Sequence, residues 1–126
     1  MSIDTRLSVL VVDDYTTMFR IIQGMLRKLG FSDIDHAEDG LQALEMLGKK
    51  SYGLIVSDWK MAPMDGLELL KRVRAAAATK AIPVIMVTAE SRPESITAAK
   101  QAGANDYILK PFSHEALKAK VTNALS

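Results

Sequence analysis

The sequence has no cysteine, only four prolines, and an aromatic content of 6%. Without cysteine, neither a disulfide nor a thiolate metal site can form, which suits a reducing compartment, and we expect the cytoplasm. No run of basic residues is longer than a pair such as Arg27-Lys28 or Lys49-Lys50, and the formal net charge is +1. We therefore expect no nucleic-acid partner.

Long apolar stretches are also missing. The longest uncharged stretch, residues 81–89, has nine residues, whereas a membrane-spanning helix needs about 20. The amino terminus has neither a basic start nor a small-residue cleavage site, so we expect no secretory signal and no membrane insertion. The 126 residues are 48% hydrophobic and 25% charged, which is typical of a globular protein, and we expect one domain over residues 1–126.

Short apolar segments alternate with amphipathic ones along the chain. The short segments predict strands at residues 7–12, 34–37, 52–56, 82–87 and 107–109. The first helix has apolar residues at helical spacing, namely Met18, Ile21, Ile22, Met25, Leu26 and Leu29, and Gly30 ends it. Further helices are predicted at about residues 39–48, 66–77, 92–102 and 113–125. Five strand-helix units predict a parallel sheet covered by helices on both faces.

Three helix starts carry capping signals. Asp65 and Glu68 have capping-box spacing, and so do Ser91 and Glu94. Ser113 suits an N-cap. These residues predict where the third, fourth and fifth helices begin.

Polar residues follow the predicted strands, at the sheet edge where functional groups collect in open parallel sheets. They are Asp13, Asp14, Asp58, Thr88 and Lys110. Three clustered carboxylates raise one another's pKa unless a cation compensates, and Mg²⁺ prefers oxygen ligands and commonly keeps room for a phosphate oxygen. Lys110 and Thr88 offer a positive charge and a hydroxyl donor to a phosphoryl group. Asp58 is then a candidate nucleophile, beside a magnesium site open to phosphate.

Five motifs, in order and spread over nearly the whole chain, resemble those of the receiver domains of two-component response regulators. They are VVDD at residues 11–14, DWKM at 58–61, MDG at 64–66, VTA at 87–89 and LKPF at 109–112. The resemblance is strongest to the single-domain chemotaxis regulators. It implies an α/β, flavodoxin-like (βα)5 three-layer sandwich whose five-stranded parallel sheet has the order 2-1-3-4-5.

The resemblance also implies a role for each acidic residue that matches a motif. Asp58 would accept the phosphoryl group, Asp14 would bind Mg²⁺ directly, and Asp13 would bind it through water. The backbone carbonyl of Lys60 would be a further metal ligand.

A switch is implied by the same resemblance. After phosphorylation Thr88 would hydrogen-bond the phosphoryl group and Lys110 would pair with it, while Tyr107 would change rotamer as Thr88 moves. A cis Lys110-Pro111 bond would aim Lys110 inward. The surface of the helix at residues 92–102 would change as a result.

Two departures from the family pattern lie after Asp58. The chain reads Met61-Ala62-Pro63-Met64 where the family has proline directly after methionine, and it has Lys60 where the chemotaxis members have asparagine. Lys60 is long enough to reach the phosphoryl group or to pair with Glu90 across the site. Our hypothesis is that Lys60 and Glu90 set the lifetime of the phosphorylated form.

The partners implied are a histidine kinase as phosphodonor, and either a flagellar motor switch protein or a phosphatase. The protein itself is expected to be a monomer. A phosphate sink or a phosphorelay intermediate is the alternative within this family. Outside it, a haloacid dehalogenase-type phosphatase lacks its second aspartate, because Lys60 occupies that position, and a flavodoxin-like FMN carrier lacks a phosphate loop after the first strand. His36 and His114 are expected away from the site, and Trp59 should serve as its optical probe.

Overall fold

Five strands alternate with five helices along residues 3–126, the part of the chain that the computed structural model describes. The strands are β1 (Val9–Val12), β2 (Ile34–Ala37), β3 (Leu54–Ser57), β4 (Val84–Thr88) and β5 (Asp106–Leu109). The helices are α1 (Thr16–Lys28), α2 (Gly40–Leu47), α3 (Gly66–Ala75), α4 (Pro93–Gln101) and α5 (His114–Leu125). None of the helices within this range has both the length and the apolar character that crossing a bilayer requires.

The five strands form one parallel sheet in the order β2-β1-β3-β4-β5, which confirms the flavodoxin-like order. Val12 at the end of β1 lies beside Ala37 of β2 and Ser57 of β3. Thr88 at the end of β4 lies beside Leu109 of β5. Because neighbouring strands finish level with one another, the residues that follow them meet at one edge of the sheet.

Each face of the sheet has its own hydrophobic core, since successive side chains of a strand point to opposite faces. Leu10 and Val12 belong to the core that α2, α3 and α4 cover. Val9 and Val11 belong to the core that α1 and α5 cover. All four are fully buried, which explains why β1 is a continuous apolar run rather than an alternating one.

The capping predictions are confirmed at two helices and wrong at one. Asp65 accepts a hydrogen bond from the Glu68 backbone N–H at 2.8 Å, and Ser113 caps α5 in the same way. The prediction for Ser91 is wrong, because the N-cap of α4 is Arg92. Pro93 takes the first helical position, where its fixed φ and missing N–H cost nothing, and this moves the cap to the residue before it.

Two further predictions, the end of the third helix and the burial of Ile21, differ from the structure. The third helix ends at Ala75 rather than at residue 77, and Ala76 is extended. The Thr79 hydroxyl donates to the Val73 carbonyl at 2.8 Å, which holds the chain in a turn instead of another helical residue. Ile21, counted on the apolar face of α1, is 45% exposed.

Candidate metal and phosphoryl-transfer site

Three carboxylates meet at the carboxyl edge of the sheet, as predicted. Asp13 and Asp14 follow β1, Asp58 follows the neighbouring strand β3, and one ligand oxygen from each lies within 4.8 Å of the others. Asp13 is 1% exposed, Asp58 is half-buried and Asp14 is exposed. The cluster therefore runs from the protein interior to the solvent.

Asp13 is the buried end of this cluster. Burial raises the pKa of the Asp13 carboxyl and the nearby Asp58 charge adds to the effect, while the Tyr15 backbone N–H and the positive charge of Lys110 oppose them. The Tyr15 N–H donates to Asp13 Oδ1 at 2.9 Å. A carboxylate with incomplete compensation of this kind attracts a cation.

Lys110 brings a positive charge to the carboxylates from the far edge of the sheet. Its Nζ lies 3.2 Å from Asp58 Oδ2 and 3.4 Å from Asp13 Oδ2. The residue directly follows β5, its backbone N–H donates to the Thr88 carbonyl at 2.9 Å, and the Lys110-Pro111 bond is cis, as predicted. One cation thus faces the two less exposed carboxylates.

The backbone on both sides of Asp58 holds its carboxylate in place. The Asp58 N–H donates to the Val12 carbonyl at 2.9 Å, and the Trp59 N–H donates to Asp58 Oδ1 at 2.7 Å. Gly66 packs so closely beneath the loop that a Cβ at this position would lie 2.0 Å from the Asp58 carbonyl oxygen. Any side chain there would displace Asp58, so the glycine is required by this close approach.

Thr88, Glu90 and Tyr107 form a linked group beside the acidic cluster. Thr88 is 1% exposed, and its hydroxyl oxygen accepts a hydrogen bond from the Glu90 N–H at 3.2 Å. The Tyr107 hydroxyl donates to the Glu90 carbonyl at 2.6 Å, and the Tyr107 ring meets Trp59 edge-on. Burial raises the pKa of the Tyr107 hydroxyl, and the charges of Glu90 and Asp58 add to the rise. The backbone of Glu90 therefore connects the two predicted switch residues.

The side chain of Glu90 pairs with Arg92 rather than with Lys60. Arg92 donates to Glu90 Oε1 from its backbone N–H and from Nε, both at 2.9 Å, and from Nη2 to Oε2 at 3.2 Å. These bonds lower the pKa of Glu90 to about 2, and the more distant charge of Lys60 makes the smallest contribution. The possibility of a Lys60-Glu90 pair across the site is not realised in this structure.

A cavity of about 460 Å³ opens next to the carboxylates. Among the residues that line it are Asp14, Trp59, Lys60, Glu90 and Arg92. The lining thus combines the cations Lys60 and Arg92 with the carboxylates of Asp14 and Glu90, and both residues proposed to modulate the site belong to it.

The donor set fits Mg²⁺. Asp13, Asp14 and Asp58 offer hard carboxylate oxygens close enough to share one ion, and the exposed position of Asp14 leaves room for water ligands. Lys110 compensates only part of their charge, because it is one cation beside three acidic residues. These residues would hold the ion, with the Lys60 carbonyl as a predicted further ligand.

Two residues in contact with the site were not foreseen from the sequence. His36 was expected to lie away from it, yet its Nε2 lies 2.8 Å from the Asp13 carbonyl oxygen. Arg92 binds Glu90, as described above. The register of β2 against β1 would have placed His36 near Asp13, but that register is not readable from the sequence pattern.

Comparisons with known proteins agree with this site. The family model of the response regulator receiver domain matches residues 9–122. The chain is 46% identical over 119 residues to chemotaxis protein CheY-3 of Vibrio cholerae serotype O1. The matched residues make up 94% of this chain and 92% of that protein. It is 46% identical over 115 residues to chemotaxis protein CheY of Pseudomonas aeruginosa, with coverage of 91% and 93%.

A solved structure with the same fold is the chemotaxis response regulator CheY4 of Vibrio cholerae. It superposes with a TM-score of 0.87 at 32% sequence identity and covers 95% of this chain and 99% of that chain. The fold, the carboxylate cluster and the sequence relatives agree. The chain therefore belongs to the response regulator receiver domain family and is of the CheY type.

Proposed function

We propose that this protein accepts a phosphoryl group on Asp58 from a histidine kinase, in a Mg²⁺-dependent reaction, and that phosphorylation switches its partner-binding surface. The observation that carries the proposal is the position of Asp58, whose Oδ2 lies 3.2 Å from Lys110 Nζ within a group of three carboxylates. A carboxylate so placed has a cation beside it and a metal site that shields it from its acidic neighbours.

In the transfer, one Asp58 carboxylate oxygen forms a P–O bond while the P–N bond of the donor phosphohistidine breaks, and the imidazole leaves with the electron pair. The Trp59 N–H holds Asp58 Oδ1 in a fixed direction during this step. Lys110 supplies positive charge beside the acceptor as the phosphoryl oxygens approach. When bound, Mg²⁺ would supply further positive charge to the phosphoryl oxygens.

The switch follows from the hydrogen bonds of Glu90. If the Thr88 hydroxyl turns to the phosphoryl group, the Glu90 N–H loses its acceptor. Because the Tyr107 hydroxyl is bound to the Glu90 carbonyl, a movement of Glu90 requires Tyr107 to follow or to find a new partner. Glu90 lies just before α4. We therefore expect phosphorylation to change which conformation of the α4 surface is most populated.

The output partner that we propose is a flagellar motor switch protein. The relatives named above are chemotaxis proteins and match the chain over nearly its full length. A pull-down with the phosphorylated protein should retain motor switch components. Retention of histidine phosphotransfer proteins instead would favour a phosphorelay intermediate, and retention of neither would favour a phosphate sink.

The acceptor is tested with acetyl phosphate and Mg²⁺, followed by intact mass measurement under conditions that preserve acyl phosphates. We expect wild-type protein to gain the mass of one phosphoryl group and the Asp58→Asn variant to gain none, since an amide is a poor nucleophile. Omitting Mg²⁺ should suppress the gain in wild type. Equal labelling of wild type and Asp58→Asn would contradict the proposal.

We further propose that Lys60 and Glu90 set the phosphoryl lifetime. Both line the cavity next to the acidic cluster, through which a water molecule would reach the phosphoryl group. Lys60→Asn and Glu90→Ala should each change the rate of spontaneous dephosphorylation, measured by the return of Trp59 fluorescence after acetyl phosphate is removed. If neither variant changes the rate, these residues do not control the lifetime.

A further inference from the structure

His36 joins three elements next to the metal site. Its ring stacks on Phe19 of α1, with ring centroids 4.0 Å apart and planes 4° from parallel. From β2, its Nε2 reaches the backbone carbonyl of Asp13, just after β1, at 2.8 Å. Because a carbonyl oxygen only accepts hydrogen bonds, Nε2 must carry a hydrogen.

The bond to His36 completes the set of polar contacts around Asp13. The Asp13 N–H donates to the Ala37 carbonyl at 3.0 Å, Oδ1 accepts from Tyr15 and Oδ2 faces Lys110. Asp13 is 1% exposed, so its carbonyl oxygen has little access to water and depends on His36 for its partner. Without that donor, the buried Asp13 carbonyl oxygen would have no hydrogen-bond partner. This costs free energy and favours a rearrangement of the local backbone.

The Asp13 carbonyl belongs to the peptide unit that links Asp13 to Asp14. Because the peptide is planar, it moves as one rigid unit, and a displacement of its carbonyl carries the Cα atoms of Asp13 and Asp14 and their side chains with it. Holding the carbonyl oxygen therefore fixes two of the three carboxylates relative to Asp58. The stacking on Phe19 restricts the imidazole, so the donor itself is held in one direction.

We propose that His36 is a positioning residue for the metal site, which sets the orientation of Asp13 and Asp14 through the peptide between them. The proposal rests on the proposed function in that it assumes a Mg²⁺ site at these carboxylates. It predicts that loss of the Nε2 donor weakens Mg²⁺ binding by about tenfold, the lower end of what outer-shell partners of metal ligands contribute.

The test measures Mg²⁺ affinity of the unphosphorylated protein by Trp59 fluorescence and by calorimetry. His36→Phe keeps an aromatic ring against Phe19 and removes the donor, whereas His36→Gln places an amide nitrogen at the position of Nε2. We expect His36→Phe to weaken Mg²⁺ binding about tenfold and His36→Gln to bind Mg²⁺ more tightly than His36→Phe does. The control is Tyr52→Phe, which removes the hydrogen bond at 2.6 Å to Asp35, the neighbour of His36 on β2, without touching Asp13.

The outcomes separate the two proposals. If wild type binds no Mg²⁺, the proposed function fails. If wild type binds Mg²⁺ and His36→Phe binds it equally well, the role of His36 is overturned.

A second variant is used if His36→Phe does not fold. His36→Asn then replaces it, because the shorter amide cannot reach the Asp13 carbonyl. A Mg²⁺ affinity of His36→Asn equal to that of His36→Gln would overturn the role of His36. Nitrogen NMR of wild type should show the Nε2-protonated form, and hydrogen on Nδ1 alone would also overturn it.

Discussion

Asp13 shows how a single residue can oppose folding and yet serve a site. Its carboxylate is 1% exposed, and burial raises its pKa above the ordinary 3.8. The folded protein therefore binds the Asp13 proton more tightly than the unfolded chain does. Ionised Asp13 therefore costs stability above its native pKa, and this cost disappears as the pH falls through the native pKa to below 3.8.

Asp13→Asn should raise the free energy of unfolding of the metal-free protein by about 1–2 kcal/mol at pH 7, because the amide needs no countercharge. The advantage over wild type should shrink as the pH falls through the raised native pKa of Asp13 toward 3.8, because folded wild type takes up the Asp13 proton over this range. Urea unfolding in the presence of a chelator measures both effects. The same variant should lose the stabilisation that Mg²⁺ confers on wild type. A variant less stable than wild type under metal-free conditions would contradict this prediction.

Glu90 has the opposite pKa shift. Arg92 lowers the pKa of Glu90 from 4.5 to about 2, so the ionised carboxylate favours the folded state above pH 4.5, and this contribution is lost as the pH falls through about 2. Arg92→Gln should move the pKa of Glu90 back toward 4.5, as followed by carboxyl carbon NMR. Arg72→Gln, which removes the partner of Glu68, is the matched control and should leave Glu90 unchanged. An unaltered titration of Glu90 in Arg92→Gln would show that the pair does not form in solution.

At the scale of elements, α4 is held differently at its two ends. Its buried residues are only Ser95 and Ala99. Beyond its carboxyl end, Arg74 of α3 donates to the Gly103 carbonyl at 3.0 Å, to the Asn105 side chain at 2.9 Å and to the Ile82 carbonyl at 2.6 Å. Its amino end begins just after Glu90, beside the site. If phosphorylation moves Glu90 as proposed above, we expect the amino end of α4 to move with it while Arg74 holds the carboxyl end in place.

Arg74→Met should lower the free energy of unfolding by about 1–3 kcal/mol, because it leaves several backbone carbonyls without a donor. It should also speed amide hydrogen exchange around Gly103 and Asn105 more than around Thr88. Arg72→Met is the control: within residues 3–126 this exposed residue pairs only with Glu68, one helical turn away, and such pairs contribute about 0.3–0.5 kcal/mol. Equal losses in the two variants would mean that Arg74 has no special anchoring role.

On the scale of the whole molecule, the site exists because the sheet order brings remote segments together. Asp14 and Asp58 are neighbours because β1 and β3 pair side by side, and Lys110 reaches them from β5 across the end of β4. The apolar runs, the helical spacing of α1 and the polar residues after each strand were all recognisable in the sequence. The strand order came from the family resemblance, since periodicity contains no information on which strands pair.

Local patterns thus suffice for the alternation of strands and helices, for the caps at Asp65 and Ser113, and for the residues at the strand ends. They reflect interactions within a few residues, which are present in any arrangement of the chain. The contact of His36 with Asp13 and that of Arg74 with Gly103 belong to the other category, because the residues that form them are far apart in the sequence. Each depends on side chains meeting at distances of about 3 Å, where rotamer choice, register and a competing donor select one partner among several within reach. Such a selection is made only when the packed chain has taken its final shape.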